Sequence, residues 1–190
     1  MTLLIILGVI LIAVGVGIGI NNDIIAKSNR VNQSWSDVIT QERARGKIIE
    51  AVEKLVNEYT EFEQSLLTAT TKLREAITEA KGAEAGDVDK IHNIEIASKE
   101  LNSGLKITVE AYPDLKASNL YSQLATEISE QEDNVAAAIR IFNSNVAEFN
   151  TSIETFPANL INNKFTKKKQ VNSYENDDID VGFTPNLNKN

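Results

Sequence analysis

Apolar residues fall into two patterns along this chain, and the change comes just after residue 20. Every position from Leu3 through Ile20 is Leu, Ile, Val, Ala or Gly. A helix of such residues, rising about 1.5 Å per residue, reaches the lower limit for crossing a hydrocarbon core. From residue 23 onward large apolar residues recur instead at Val31, Trp35 and Val38, then Ile49, Val52, Val56, Tyr59, Phe62, Leu66, Leu73 and Ile77. Steps of mostly three and four predict amphipathic helix. Residues 41–47 hold no large apolar side chain and include Gly46, so they are either a solvated turn of one long helix or a break between two.

Gly82 to Asp87 predicts a helix stop and a new start, with Asp87 or Asp89 as the capping side chain. The second helix is expected over residues 88–111. Tyr112-Pro113-Asp114 ends it, because a proline disfavours helix in the residue before it. The third, expected over 115–156, carries Leu124, Ile128, Val135, Ile139, Phe142, Val146, Phe149, Ile153 and Phe156. Past a polar gap at Gln131 the steps alternate four and three, a heptad-like stripe of the kind found in bundles and coiled coils. Pro157 stops it, residues 158–165 add a short turn, and a polar, Asn-rich tail expected to be disordered follows.

These elements predict an all-α protein with three parts: a transmembrane anchor (1–22), a long antiparallel up-and-down bundle of three to four helices (23–165), and a disordered tail (166–190). Helix lengths leave one ambiguity. An unbroken helix over 23–81 would be about 88 Å long, against about 63 Å for the third helix. A break at 41–47 would balance the bundle and require a hinge at Asn21-Asn22.

Charge narrows the partners. The chain has 19 basic and 27 acidic residues, and the net charge of −8 falls on the segment between anchor and tail. Such a surface repels polyanions, so nucleic acid is not expected. Lys27 and Arg30 follow the anchor closely, Arg43, Arg45 and Lys47 lie farther on, and nothing basic precedes it. That bias predicts a single-pass protein with a cytoplasmic bulk. Within the anchor, Gly15 and Gly19, and separately Ala13 and Gly17, are spaced for close helix–helix approach, which would permit a homo-oligomer.

Candidate chemistry is sparse. There is no Cys and a single histidine, His92, flanked by Asp89 and Glu95. A di-iron bundle needs two Glu-x-x-His motifs, and this chain has no matching pair, so no metal is expected. Gly-x-Gly-x-x-Gly, phosphate-loop and Gly-x-Ser-x-Gly patterns do not occur. The acidic residues fall where a bundle faces water. No catalytic residue, cofactor or small-molecule substrate is expected. The heptad aromatics Phe142, Phe149 and Phe156 belong in a core, as does Trp35, whose indole N–H would need a partner.

Two features suit binding. Tyr112, Pro113, Asp114 and Leu115 form a rigid loop at one end of the bundle. The tail joins Lys164, Lys167, Lys168 and Lys169 to an acidic patch, Asp177, Asp178 and Asp180, and then to Val181, Phe183 and Pro185. A basic cluster suits a membrane surface, and an extended peptide can add to a partner's sheet edge.

Several segments together resemble the LemA family of bacterial single-pass membrane proteins. Residues 110–117 (EAYPDLKA) are close to the family's AEAYPDLKA, and residues 137–143 (AAIRIFN) with Val146, Phe149, Asn150, Ile153 and residues 156–161 (FPANLI) continue the likeness. Arg30-Val31 and Trp35 are similar to its NRV..AWS segment. The family's Leu-Ile-Pro after an Arg pair is replaced by Ile48-Ile49-Glu50, without the proline that marks its break between first and second helices. The resemblance implies a membrane-anchored helical bundle without established enzymatic activity, associated with envelope proteases and other membrane proteins. The expected role is a scaffold or adaptor of the bacterial cell membrane that recruits another membrane protein through loop or tail. The alternative is an accessory or regulatory subunit of a membrane enzyme such as an envelope protease.

Overall fold

The first helix of the bundle is neither one element over 23–81 nor broken at 41–47: it ends at Tyr59, and the next begins at Gln64. In the structure, a computed structural model that describes residues 1–59 and 64–175, α1 runs from Thr2 to Tyr59 as one helix of 58 residues. It is about 87 Å long. Asn21, Asn22 and the whole of 41–47 are helical, so neither a hinge nor a break forms there. Gly46 carries open space where a side chain would be. A glycine inside a helix costs about 1 kcal/mol, too little to interrupt an element whose Ile39, Ile48, Ile49 and Val52 are buried on either side of it.

α2 (Gln64–Glu79) and a single 3-10 turn (Ala80–Gly82) run back along the far half of α1, where Arg74 meets Glu53 at 2.9 Å. α3 spans Val88–Ala111, the bounds that the sequence predicts, and pairs with α2 through Lys72–Glu100 at 2.6 Å. Asp87 occupies its N-cap, but the side chain makes no capping hydrogen bond. The third sequence element is divided. A one-turn helix, α4 (Pro113–Lys116), precedes α5 (Asn119–Glu154), because the Ser118 side chain accepts a hydrogen bond from the Tyr121 N–H at 3.1 Å and caps a fresh start. Chain direction alternates through α1, α2, α3 and α5, which gives the up-and-down bundle.

α5 lies antiparallel to α1 along its whole length. Gln131 Nε2 donates to the Gln41 carbonyl at 2.7 Å, Phe142 packs on Trp35 with ring centroids 5.1 Å apart, and Glu148 approaches Lys27 and Arg30 at 3.7 and 3.8 Å. Val31, Trp35, Val38, Ile49 and Val52 on α1 are buried, as are Val135, Ile139, Phe142, Val146, Phe149 and Ile153 on α5. Trp35 Nε1 donates to the Ala83 carbonyl at 3.1 Å. That bond fixes where α2 and α3 connect, so the first third of the bundle is a two-helix stem of α1 and α5.

Phe156 departs from the expected core. It lies two residues past the end of α5 and is 78% exposed. There α6 (Ala158–Ile161) and a π-helical turn (Asn162–Thr166) bend back against the apolar part of α1. Large apolar residues of that part, from Leu3 to Ile18, are exposed. By length and composition, α1 is the one helix among the described residues apolar enough to cross a membrane. Phe62 lies outside the described residues, as do the Val56 and Tyr59 side chains.

Candidate functional site

The stem's missing neighbours are replaced by the chain's own tail. Disorder expected from residue 166 does not hold for residues 167–175, which run along α5 and are gripped through their main chain. Asn162 accepts from the Lys168 N–H and donates to its carbonyl, both at 2.9 Å. Asn150 does the same to Val171, at 3.0 and 2.9 Å, and Asn143 to Tyr174, at 2.8 and 2.7 Å. A carboxamide offers one donor edge and one acceptor edge, the complement of a peptide group. Seven helical residues from Asn143 to Asn150 rise about 10.5 Å, and three residues of extended chain rise about 10 Å. The two repeats agree, so the helix sets the tail's register.

Tyr174 is the anchor of this clamp. It is buried, and its hydroxyl donates to Glu95 Oε2 on α3. Burial, followed by the hydrogen bond to Glu95 and that residue's charge, pushes the phenol above its ordinary range, so it stays a donor. Val171 packs over the turn before α3, where Gly86 has φ +93°. A Cβ at Gly86 would come within 2.7 Å of Val171 Cγ1, so this position needs glycine for both conformation and space.

Deeper still lies a buried ionic pair. Glu42 is 1% and Arg45 6% exposed, with Glu42 Oε2 3.2 Å from Arg45 Nε. Glu42 Oε2 and Arg45 Nη1 nevertheless make no hydrogen bond. Burial raises the Glu42 carboxyl from the ordinary 4.5 to about 7, Arg45 opposing and Glu95 adding to the effect. Arg45 also lines a cavity of about 10 Å³ with Ser98, Asn102 and Glu132, room for about one water. Tail, α1 and α3 thus meet at one buried polar cluster. The sequence does carry a signal for it: Val38, Glu42, Arg45 and Ile49 continue the four-three-four spacing of the buried stripe.

A LemA family model matches residues 34–183, most of the chain. The chain belongs to the LemA family. It is similar to Protein LemA of Metamycoplasma hominis, with 33% identity over 150 residues, covering 77% of this chain and 65% of that relative. The family segment includes the clamp on both sides, from Trp35 on α1 to the tail at Tyr174.

Other residues singled out from the sequence are dispersed over this LemA bundle. Tyr112, Pro113, Asp114 and Leu115 lie at the end far from the apolar segment, where Leu115 is buried and Pro113 opens α4. Gly15 and Gly19 face open space, whereas Gly17 faces Ile161 Cδ1 at 3.7 Å, with Ala13 beside it on the same groove. Lys167, Lys168 and Lys169 are exposed. Val181, Phe183 and Pro185 lie outside the described residues, with Asp177, Asp178 and Asp180. His92 and Asp89 are exposed on α3, and among the described residues no cluster of three His, Cys, Asp or Glu could hold a metal.

The clamp makes a direct prediction. Replacing both Asn143 and Asn150 by alanine should free the tail while leaving the helices folded. Four hydrogen bonds are lost, each worth about 1 kcal/mol. Hydrogen exchange at the Val171 and Tyr174 amides, slow in the parent, should approach that of an unstructured chain. Unchanged protection would mean that the carboxamides do not hold the tail.

Proposed function

We propose that this chain is a membrane-anchored helical scaffold without catalytic activity of its own, holding a rigid bundle against the bilayer so that loop or tail residues recruit another membrane protein. The observation that carries this reading is the continuity of α1: the helix apolar enough to cross a membrane is also the first helix of the bundle, with no joint between. Ion pairs at the junction, Lys27 to Asp23 at 2.9 Å and to Glu148 at 3.7 Å, brace α5 against the same helix. Membership of the family is consistent with this role.

Two experiments test it. Gly15→Arg places a charge inside the apolar run without a steric clash, since nothing lies within 4 Å of a Cβ there. A central arginine costs about 3 kcal/mol on insertion scales, so the variant should partition out of membranes or fail to insert. Unchanged fractionation would remove the anchor. For the adaptor role, intact cells are crosslinked and partners of the full chain compared with those of a chain ending at Glu175, which keeps the clamp. A membrane protein lost on truncation supports recruitment by the tail. Should deletion alter that partner's turnover rather than its location, the regulatory-subunit reading replaces the scaffold.

A further inference from the structure

The near end of the bundle carries a surface that a scaffold does not need. Phe156, Leu160 and Phe165 are 78%, 58% and 65% exposed within ten residues of one another. Ile161 and Phe165 face Ile10, Ala13, Val14 and Gly17 of α1 across an apolar groove of about 640 Å³. Gly17 lies three residues inside the end of the apolar run, about 4.5 Å along the axis, and Ile10 about 10 Å deeper. If that run spans the bilayer, as the scaffold reading holds, the segment from Phe156 to Phe165 is a wedge at acyl-chain depth. Its polar backbone is suited to that depth, because Asn162 ties the returning Lys168 peptide on both edges and also accepts from Thr166 Oγ1 at 2.6 Å.

Charge on the segment that forms one wall of the groove, and on the chain leaving it, has the opposite sign from the rest of the molecule. Residues 155–173 contain Lys164, Lys167, Lys168 and Lys169 and no Asp or Glu, in a chain of net charge −8. All four lysines are exposed, and Lys164 Nζ sits 5.9 Å from the Phe165 ring centroid. Lys27 and Arg30, by contrast, approach Asp23 or Glu148. An apolar slot along α1, with four exposed cations on the segment that walls it and on the residues that follow, is complementary to one ligand class.

We propose that residues 156–169 and the facing side of α1 form a binding site for an anionic phospholipid, one acyl chain lying in the groove and the headgroup phosphate on the four lysines. The proposal rests on the anchor reading. The test uses the full-length protein in nanodiscs of equimolar phosphatidylglycerol and phosphatidylcholine, released in mild detergent and weighed intact by native mass spectrometry. Each lysine at an anionic surface favours binding about fivefold, so retained phosphatidylglycerol should exceed phosphatidylcholine by at least that factor. The variant with Lys164, Lys167, Lys168 and Lys169 all replaced by Gln should lose the preference while keeping its helical circular dichroism. Phe165→Ala should retain less of either lipid at an unchanged thermal midpoint.

Equal retention of the two lipids by the parent overturns the proposal, as does an unchanged preference in the lysine variant. Loss of lipid in ammonium phosphate but not in ammonium acetate of equal ionic strength would identify a site for the free anion instead. A lipid-free dimer would assign the groove to a second copy of the helix. Alkaline carbonate extraction of native membranes separates the two levels of failure: release of the protein removes the anchor and the lipid site together, whereas a retained protein without lipid preference removes the lipid site alone.

Discussion

Replacing Phe142 with alanine is expected to lower the unfolding free energy by about 3 to 5 kcal/mol. The ring is fully buried, and it meets Trp35 at 5.1 Å with the planes tilted by 53°. Such a pair adds about 0.5 to 1.5 kcal/mol to the burial of its area. Trp35 in turn holds the connection before α3 through its bond to Ala83. A cavity at Phe142 therefore loosens α1, α5 and the loop that joins α2 to α3 at one point. Trp35 is the only tryptophan, so its fluorescence follows urea unfolding of the full chain in detergent without labelling. A loss near zero would mean that the stripe on α5 does not form the core.

Glu42→Gln is expected to stabilise the protein in a pH-dependent way. Its carboxyl is raised from 4.5 to about 7, so over that interval the folded chain holds a proton that the unfolded chain releases. Stability from this site is complete below pH 4.5 and is lost as pH rises through about 7. A shift of this size corresponds to about 3 kcal/mol at 1.36 kcal/mol per pH unit. Glutamine has the shape of the protonated acid and does not titrate. The variant should match the parent near the ordinary carboxylate pKa and exceed it by about 3 kcal/mol near pH 8, roughly 6 to 12 °C in melting temperature. Equal melting curves at both pH values would show that Glu42 is not held in a desolvated site.

Most of the fold was legible because periodicity reports burial. Val88–Ala111 was bounded by Gly86 on one side and Pro113 on the other, both strong punctuation. The heptad stripe of α5 gave its buried face as far as Ile153. It misplaced Phe156, because the apolar period runs on for two residues after the helix has ended at Glu154. At the other end of α1, Gly46 and the polar residues around it suggested an interruption, yet α1 continues to Tyr59. The family resemblance, carried by the segment around Tyr112 and by the α5 motif, was correct.

The polar cluster and the clamp were less legible. Glu42 and Arg45 stand in register with the core stripe, but their side-chain class argued for water, and burial was decided by the helices around them. Asn143, Asn150 and Asn162 read peptide groups, and a peptide group leaves no imprint on the sequence of the segment being read. Among the described tail residues, Val171 and Tyr174 pack inward, and their apolar character carried the sign of it.

The jointless α1 has a mechanical consequence. From Ile20 to Tyr59 it is a shaft of about 58 Å, stiffened by α5 over most of that length. With the apolar run seated in a bilayer, an inclination of about 20°, the average for membrane helices, carries the far end sideways by about 20 Å. A few degrees of lean imposed by a thicker or thinner bilayer becomes a sweep of several ångströms at Tyr112 and Leu115. Seated in this way, the molecule would be geared as a lever, with its fulcrum at the end of the apolar run and its long arm beyond it.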